Sequence, residues 1–251
     1  MDYPTASSGS VPPSIWLATE RLLLPNSCVV CERLVESHAP EALVCAVCRS
    51  RLQAVGAGCG RCAQPLPPLG PCRFCAQWPA VLTQVRSAYW LTSETREIVH
   101  HLKYDDYACL AGLAAQLVER QLPRPGSGVL IPVPLSPRKL RLRGYNQAAL
   151  IAKALGPRWR LPARDDILRR SRDSGSQTAL TPAARLANVA AAFTAAPAAR
   201  EATAIVIDDV LTTGATLSAA AGALADAGWK DVIAVTFARA LPYEIRALAD
   251  R

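Results

Sequence analysis

Eight of the chain's nine cysteines fall between Cys28 and Cys75, in four pairs of one spacing: Cys28/Cys31, Cys45/Cys48, Cys59/Cys62 and Cys72/Cys75. The gaps between successive pairs are 13, 10 and 9 residues. A C-x-x-C turn brings two thiolates to one side of a tight loop, and two such turns complete a tetrahedral shell around zinc. Eight thiolates make two complete shells with none left over. Sharing one ion between the first two pairs and another between the last two is the simplest arrangement, although crossed pairing satisfies the same spacing. A closed four-thiolate shell has no open position for a substrate, so both ions are expected to be structural. The segment is poor in large apolar residues, so metal binding must supply much of its folding energy.

Metal is preferred to disulfides because of the expected compartment. The N-terminus carries Asp2 and no basic cluster, unlike a signal peptide. No apolar run approaches the ~20 residues that a membrane helix needs; the best, 15–24, is broken by Thr19, Glu20 and Arg21. A cytoplasmic, reducing location is therefore expected. Cys109 sits in a helix-like run, 106–122, and reads as a buried structural thiol. His38 is at most a substitute ligand where eight thiolates are available. His100 and His101 are adjacent on a predicted helix and cannot share a face, which argues against a metal role.

At 251 residues the chain suits one large domain or a large and a small one. Its hydrophobic fraction, 51%, is enough for a real core and excludes a wholly disordered chain; with 3 Phe and 1 Met the core should be helix-rich and tightly packed. Residues 1–13 read as a disordered tail, and 14–78 as a short helix plus a cysteine-rich double zinc ribbon. Residues 79–251 alternate strands (85–91, 129–133, 204–207, 232–237) with helices (94–103, 106–122, 146–155, 182–191, 217–227). That alternation indicates an α/β fold with a mainly parallel sheet flanked by helices.

The stretch AIVIDDVLTTGATL, 204–217, carries chemistry. An apolar strand leads into Asp208 and Asp209, and then Thr212, Thr213, Gly214, Ala215 and Thr216 enter an Ala-rich helix. A glycine turn with inward backbone N–H groups, three hydroxyls and a helix N-terminus together make a phosphate cradle. The acids repel phosphate but suit ribose hydroxyls or a Mg²⁺ ion beside it. A sugar with a 5′-phosphate and vicinal hydroxyls satisfies both halves.

This loop resembles the phosphoribosyl-pyrophosphate (PRPP) motif of type I phosphoribosyltransferases. Further segments are similar to the ComF family of competence proteins: IPVPLSPRKLRLRGYNQA (131–148), SQTALTPAARLANVAAAF (176–193), HLKYDD (101–106) and the C-x-x-C knuckles themselves. The resemblance implies a zinc-ribbon module fused to a type I phosphoribosyltransferase domain. By it, Asp208 and Asp209 hold the ribose and are the candidate catalytic residues, while Thr212 to Thr216 hold the 5′-phosphate. Arg143 lies near pyrophosphate, with Lys103 a further PRPP contact, and Mg²⁺ accompanies PRPP. Gln177, Arg185 and Asn188 match a family segment without an assigned role, and 171–177 reads as a hood over the site.

The formal charge of +8 is uneven: residues 138–172 carry 11 Lys/Arg against 2 Asp, so the rest of the chain is formally −1. Arg138, Lys139 and Arg141, with Tyr145 and Trp159 as aromatic platforms, form a candidate surface for single-stranded DNA. PRPP binding and a solvated face compete for the same charges, and mixed use is favoured. Two four-thiolate zinc sites would move segment 26–80, with 5 Arg and 3 Glu, from +2 to about −2. The resemblance implies a role in DNA uptake during natural competence, with phosphoribosyl transfer as its chemistry and a competence-machinery protein as a further partner. The alternative is a non-catalytic DNA-binding or PRPP-sensing adaptor on the same scaffold. The acceptor is not legible.

Overall fold

The computed structural model describes residues 27–35, 43–66, 70–104, 107–170, 192–198 and 203–240. The expected tail, the short helix that follows it, His38, the hood, the helix at 182–191, and Gln177, Arg185 and Asn188 lie outside these residues.

Four strands form one parallel sheet: β1 (Leu82–Trp90), β2 (Val129–Pro132), β5 (Ala204–Leu211) and β6 (Val232–Arg239), in the order β1-β6-β5-β2. The central pair, AIVIDDVL and VIAVTFAR, is apolar on both faces because both faces are covered. One face carries α2 (Ser93–Tyr104), α3 (Leu110–Gln121) and α5 (Gln147–Trp159), whose Ile98, Leu113, Ile151 and Leu155 meet Ile205, Ile207 and Phe237 of the sheet. On the other lie α6 (Ala215–Asp226) and a small antiparallel pair, β3 (Leu168–Arg170) with β4 (Phe193–Ala195). The small side chains of α6, with Ala220 and Ala221 fully buried, let it lie close on Val206 and Ala234.

The cysteine-rich segment is built into this sandwich. Cys28 and Cys48, the latter on α1 (Ala46–Ser50), join the core under α2 and α3, whereas Cys62 and Cys75 join the core under α6. Between the two clusters the segment runs along the outer edge of β1: Val55 N–H donates to Ala88 O (3.0 Å), Trp90 N–H to Gln53 O (2.8 Å) and Val85 N–H to Arg61 O (2.7 Å). The exposed edge of the sheet is thereby capped.

Among the described residues the expected strands and helices are present, with shifted ends. The strand at 204–207 continues through both acids to Leu211, and α5 runs past Leu155 to Trp159. Cys109 is a correction: it is exposed, not buried, because α3 starts only at Leu110 and leaves Cys109 at the N-cap, ahead of the apolar stripe. Three short elements were not anticipated: α1, the β3–β4 pair and α4 (Pro137–Arg143). The last follows β2 after a short connection. Its signals are Ser136, whose hydroxyl accepts from Lys139 N–H, then Pro137 at the first position and Gly144 at φ 78 after the last.

Candidate functional site: an acid pair, a phosphate loop and two four-cysteine clusters

The cysteines gather in consecutive order: Cys28, Cys31, Cys45 and Cys48 in one group, Cys59, Cys62, Cys72 and Cys75 in the other, with each set of sulfurs within 4.8 Å. The separations Cys31–Cys45 (3.8 Å), Cys59–Cys75 (3.7 Å) and Cys62–Cys72 (3.7 Å) equal the edge of a tetrahedron with zinc–sulfur bonds of about 2.3 Å, which is about 3.8 Å. Both leading knuckles repeat one backbone: Glu32 N–H to Cys28 O and Ala63 N–H to Cys59 O, with Glu32 and Ala63 at φ 60 and 55. Burial raises the Cys28 and Cys59 thiols, but inward backbone N–H groups outweigh it and bring each down to about 7. Burial first, and then the neighbouring sulfurs, push Cys48 and Cys75 up. Four sulfurs this close cannot all ionise without a cation among them, and a zinc dication meets that need.

The second functional region lies at the carboxyl ends of β5 and β2, in a cavity of about 500 Å³. Asp209 is 4% exposed on β5 and meets Lys103, from the last turn of α2, in an ion pair. Gln147 at the start of α5 donates to its other oxygen at 3.3 Å, and Arg143 at the end of α4 donates to the Gln147 carbonyl. A chain Arg143–Gln147–Asp209–Lys103 thus draws four elements to one carboxylate. Asp208 accepts the Asp209 backbone N–H at 2.9 Å. Burial and the adjacent Asp209 carboxylate push the Asp208 carboxyl well up. Burial would raise Asp209 too, but Lys103 and the hydrogen bonds from Asp208 and Gln147 hold it below the usual range. The two carboxyls therefore titrate as a coupled pair in which Asp209 is the more acidic member.

Thr212 and Thr216 line the same cavity. Between them Thr213 is exposed, its Oγ1 accepting from Ala215 N–H at 3.4 Å, and Gly214 caps α6 at φ 79. The α6 N-terminus, with no acid in its first turn, adds positive potential.

Every residue of RGYNQ has a task. Gly144 ends α4, and the Tyr145 hydroxyl donates to Leu102 O at 2.8 Å. Asn146 caps α5 through Ala148 N–H and donates to Val133 O, both at 3.0 Å, while Arg143 and Gln147 serve the acid. The role of Gln147 was not legible in the sequence, because a glutamine shows no charge pattern. Arg170, Tyr104 and His100 also line the cavity. Tyr104 is 66% exposed, with Arg143 over its ring at 5.2 Å and His100 at 5.1 Å.

The basic strip is divided. Arg138, Lys139 and Arg141 are exposed on α4, and Lys139 reaches the cavity rim. Arg158 lies at the far end of α5, about 20 Å away along a 13-residue helix, paired with Glu119 at 2.7 Å; Arg164 pairs with Asp166 at 2.6 Å. Trp159, expected as a platform, is 3% exposed in the core. Tyr145 is half-buried and pinned by its hydroxyl, so Tyr104 is the aromatic ring that stands open beside the cations.

An α/β sheet with an acid–threonine–glycine loop at its carboxyl edge, joined to paired four-cysteine clusters, defines a phosphoribosyltransferase-type domain carrying a double zinc ribbon. The family profile of the phosphoribosyl transferase domain matches residues 143–248, and that of the double zinc ribbon domain matches 20–76. The chain is 30% identical to Competence protein ComFC of Bacillus subtilis, over 75% of this chain and 80% of that protein. It is 28% identical to DNA utilization protein YhgH of Salmonella typhimurium (78% and 89%) and 25% identical to Competence protein F of Haemophilus influenzae (85% and 90%). The chain belongs to this ComF family of competence and DNA-utilization proteins. Residues 77–142, between the two matched stretches, supply β1, α2, α3, β2 and the cavity's Lys103. Among the described residues no helix is long and apolar enough to cross a membrane.

Proposed function

We propose that the cavity binds PRPP and that the protein couples this site to single-stranded DNA. The observation that carries the first half is the Asp208–Asp209 pair, with Asp209 buried and held by Lys103 and Gln147, directly before the Thr212–Thr216 turn in one cavity. Thr212, Thr213 and Thr216 hydroxyls and the N-terminus of α6 receive the 5′-phosphate. Asp208 accepts from the ribose hydroxyls, while Asp209 is held in place by its two partners. Arg143 and Lys139, which line the same cavity, contact pyrophosphate, with Arg143 suited to bidentate contact. Mg²⁺ carried in with pyrophosphate, beside the acid pair, would neutralise leaving-group charge.

In the transfer reaction an acceptor nucleophile bonds to the anomeric carbon as the bond to pyrophosphate breaks, and pyrophosphate leaves with the electron pair. The negative charge at the acid pair favours the cationic sugar that develops beside it. The DNA half is supported by the exposed α4 cations Arg138, Lys139 and Arg141, by the open Tyr104 ring beside Arg143, and by the DNA-utilization names of relatives. Calorimetry with PRPP and Mg²⁺ tests the reading: binding is expected in the wild type and lost in Asp208→Asn/Asp209→Asn. A wild type that does not bind would refute it.

A further inference from the structure

Trp78 lies three residues beyond Cys75, at the end of the second cysteine cluster, yet it touches the loop proposed to hold phosphate. A Cβ placed on Gly214 would meet the indole at 2.3 Å (Cζ2), 2.8 Å (Cε2) and 3.0 Å (Nε1). The edge of the indole therefore lies directly against the glycine that caps α6, and it shares a core with Leu211 and Leu217 on either side of the turn. Gly214 is required twice over: for its φ of 79 and for the room the ring occupies.

The indole is held by the second cysteine cluster. Arg61, between Cys59 and Cys62, donates to Cys75 O (2.9 Å), Trp78 O (3.1 Å), Pro79 O (2.6 Å) and Leu82 O (2.9 Å). Phe74, between Cys72 and Cys75, meets Trp78 edge-on, with ring centroids 5.4 Å apart. Trp78 N–H also donates to Cys75 O at 3.2 Å. Both knuckles of this cluster thus grip one residue whose ring braces the turn. The first cluster belongs to the core on the other face of the sheet.

We infer that Trp78 is a positioning residue for the Thr212–Thr216 turn, through which the second four-cysteine cluster holds that turn ready for a 5′-phosphate. The inference rests on the PRPP reading of the turn only for its ligand, since the packing exists without one. A ring removed from beneath a phosphate loop lets the backbone donors drift, and misplacement of the order of 1 Å costs up to about 100-fold in sites of this kind.

The test uses the full-length, zinc-loaded protein. Hydrogen–deuterium exchange without ligand should show faster exchange over 211–217 in Trp78→Ala, with zinc content per chain unchanged. Trp78→Phe should restore most of the protection. Trp159→Phe, in the opposite core, should leave the loop as it is in the wild type. In calorimetry Trp78→Ala should weaken PRPP by about tenfold or more. Gly214→Ala should weaken it further in the wild type than in the Trp78→Ala background, because the clash is relieved there. Unchanged protection in Trp78→Ala, or an equal penalty for Gly214→Ala in both backgrounds, would overturn the inference. If the wild type does not bind PRPP, the PRPP reading falls, and loop protection alone decides the role of Trp78.

Discussion

Asp209 is a carboxylate that folding has removed from water and then re-partnered, and its neighbours follow from that cost. Removing one member of a buried ion pair leaves the other uncompensated. Lys103→Met is therefore expected to destabilise the protein by about 3 kcal/mol in urea titration, and to move the Asp209 carboxyl resonance titration upward. The two acids act oppositely with pH. Asp209, depressed, contributes stability that is present above the ordinary carboxylate range and lost as pH falls through its folded value. Asp208, raised, contributes stability that is full below that range and lost as pH rises through its folded value. In Asp208→Asn, stability followed from pH 4 to pH 8 should lose this downward trend. The acids and the Thr/Gly loop were legible because chemistry-bearing residues lie consecutively there. Gln147 and Tyr104 were not, since their roles depend on what α5 and α2 bring alongside, and Cys109 was misread because its helix begins later than the apolar pattern suggested.

At the scale of elements, the cysteine clusters are joints between the cores and the edge of the sheet. Metal analysis should find two zinc ions per chain, and a strong chelator that removes both should expose the β1 edge and produce concentration-dependent aggregation. Arg239 ends β6 almost wholly buried, donating to Cys62 O and the Gln64 side chain and lying 4.8 Å from the Phe74 ring. Arg239→Leu leaves those acceptors unpaired, and a loss of about 3 kcal/mol is expected by chemical denaturation. The β1, β2, β5 and β6 strands were readable from their apolar runs, and most helices from their texture. Of the elements that escaped, α4 has no buried residue, so no hydrophobic period could announce it. Only its caps did.

For the whole molecule, the formal excess of positive charge becomes two separated groups. The α4 group stands beside the cavity, which Arg170 also lines, whereas Arg158 and Arg164 lie away from it. Arg138→Ala/Lys139→Ala/Arg141→Ala should leave stability within about 0.5 kcal/mol, because the three side chains are exposed. It should reduce the slope of log affinity for single-stranded DNA against log salt by about 2 in fluorescence anisotropy. Arg158→Ala/Arg164→Ala, at the far end of α5, should leave that slope unchanged. The sequence by itself determined the eight cysteine ligands, though not their grouping, because C-x-x-C spacing is local geometry, and the acid–threonine–glycine loop, because strand, acids, turn and helix follow one another within 14 residues. It also determined the α/β class, because burial on both faces of a parallel sheet leaves continuous apolar runs. The tertiary structure alone decided which cysteine cluster joins which core, which cations reach the cavity, and that a tryptophan of the zinc ribbon braces a glycine more than 130 residues away. Those are contacts between distant segments, and a side chain's partner across the fold leaves no periodic trace in its own stretch of chain.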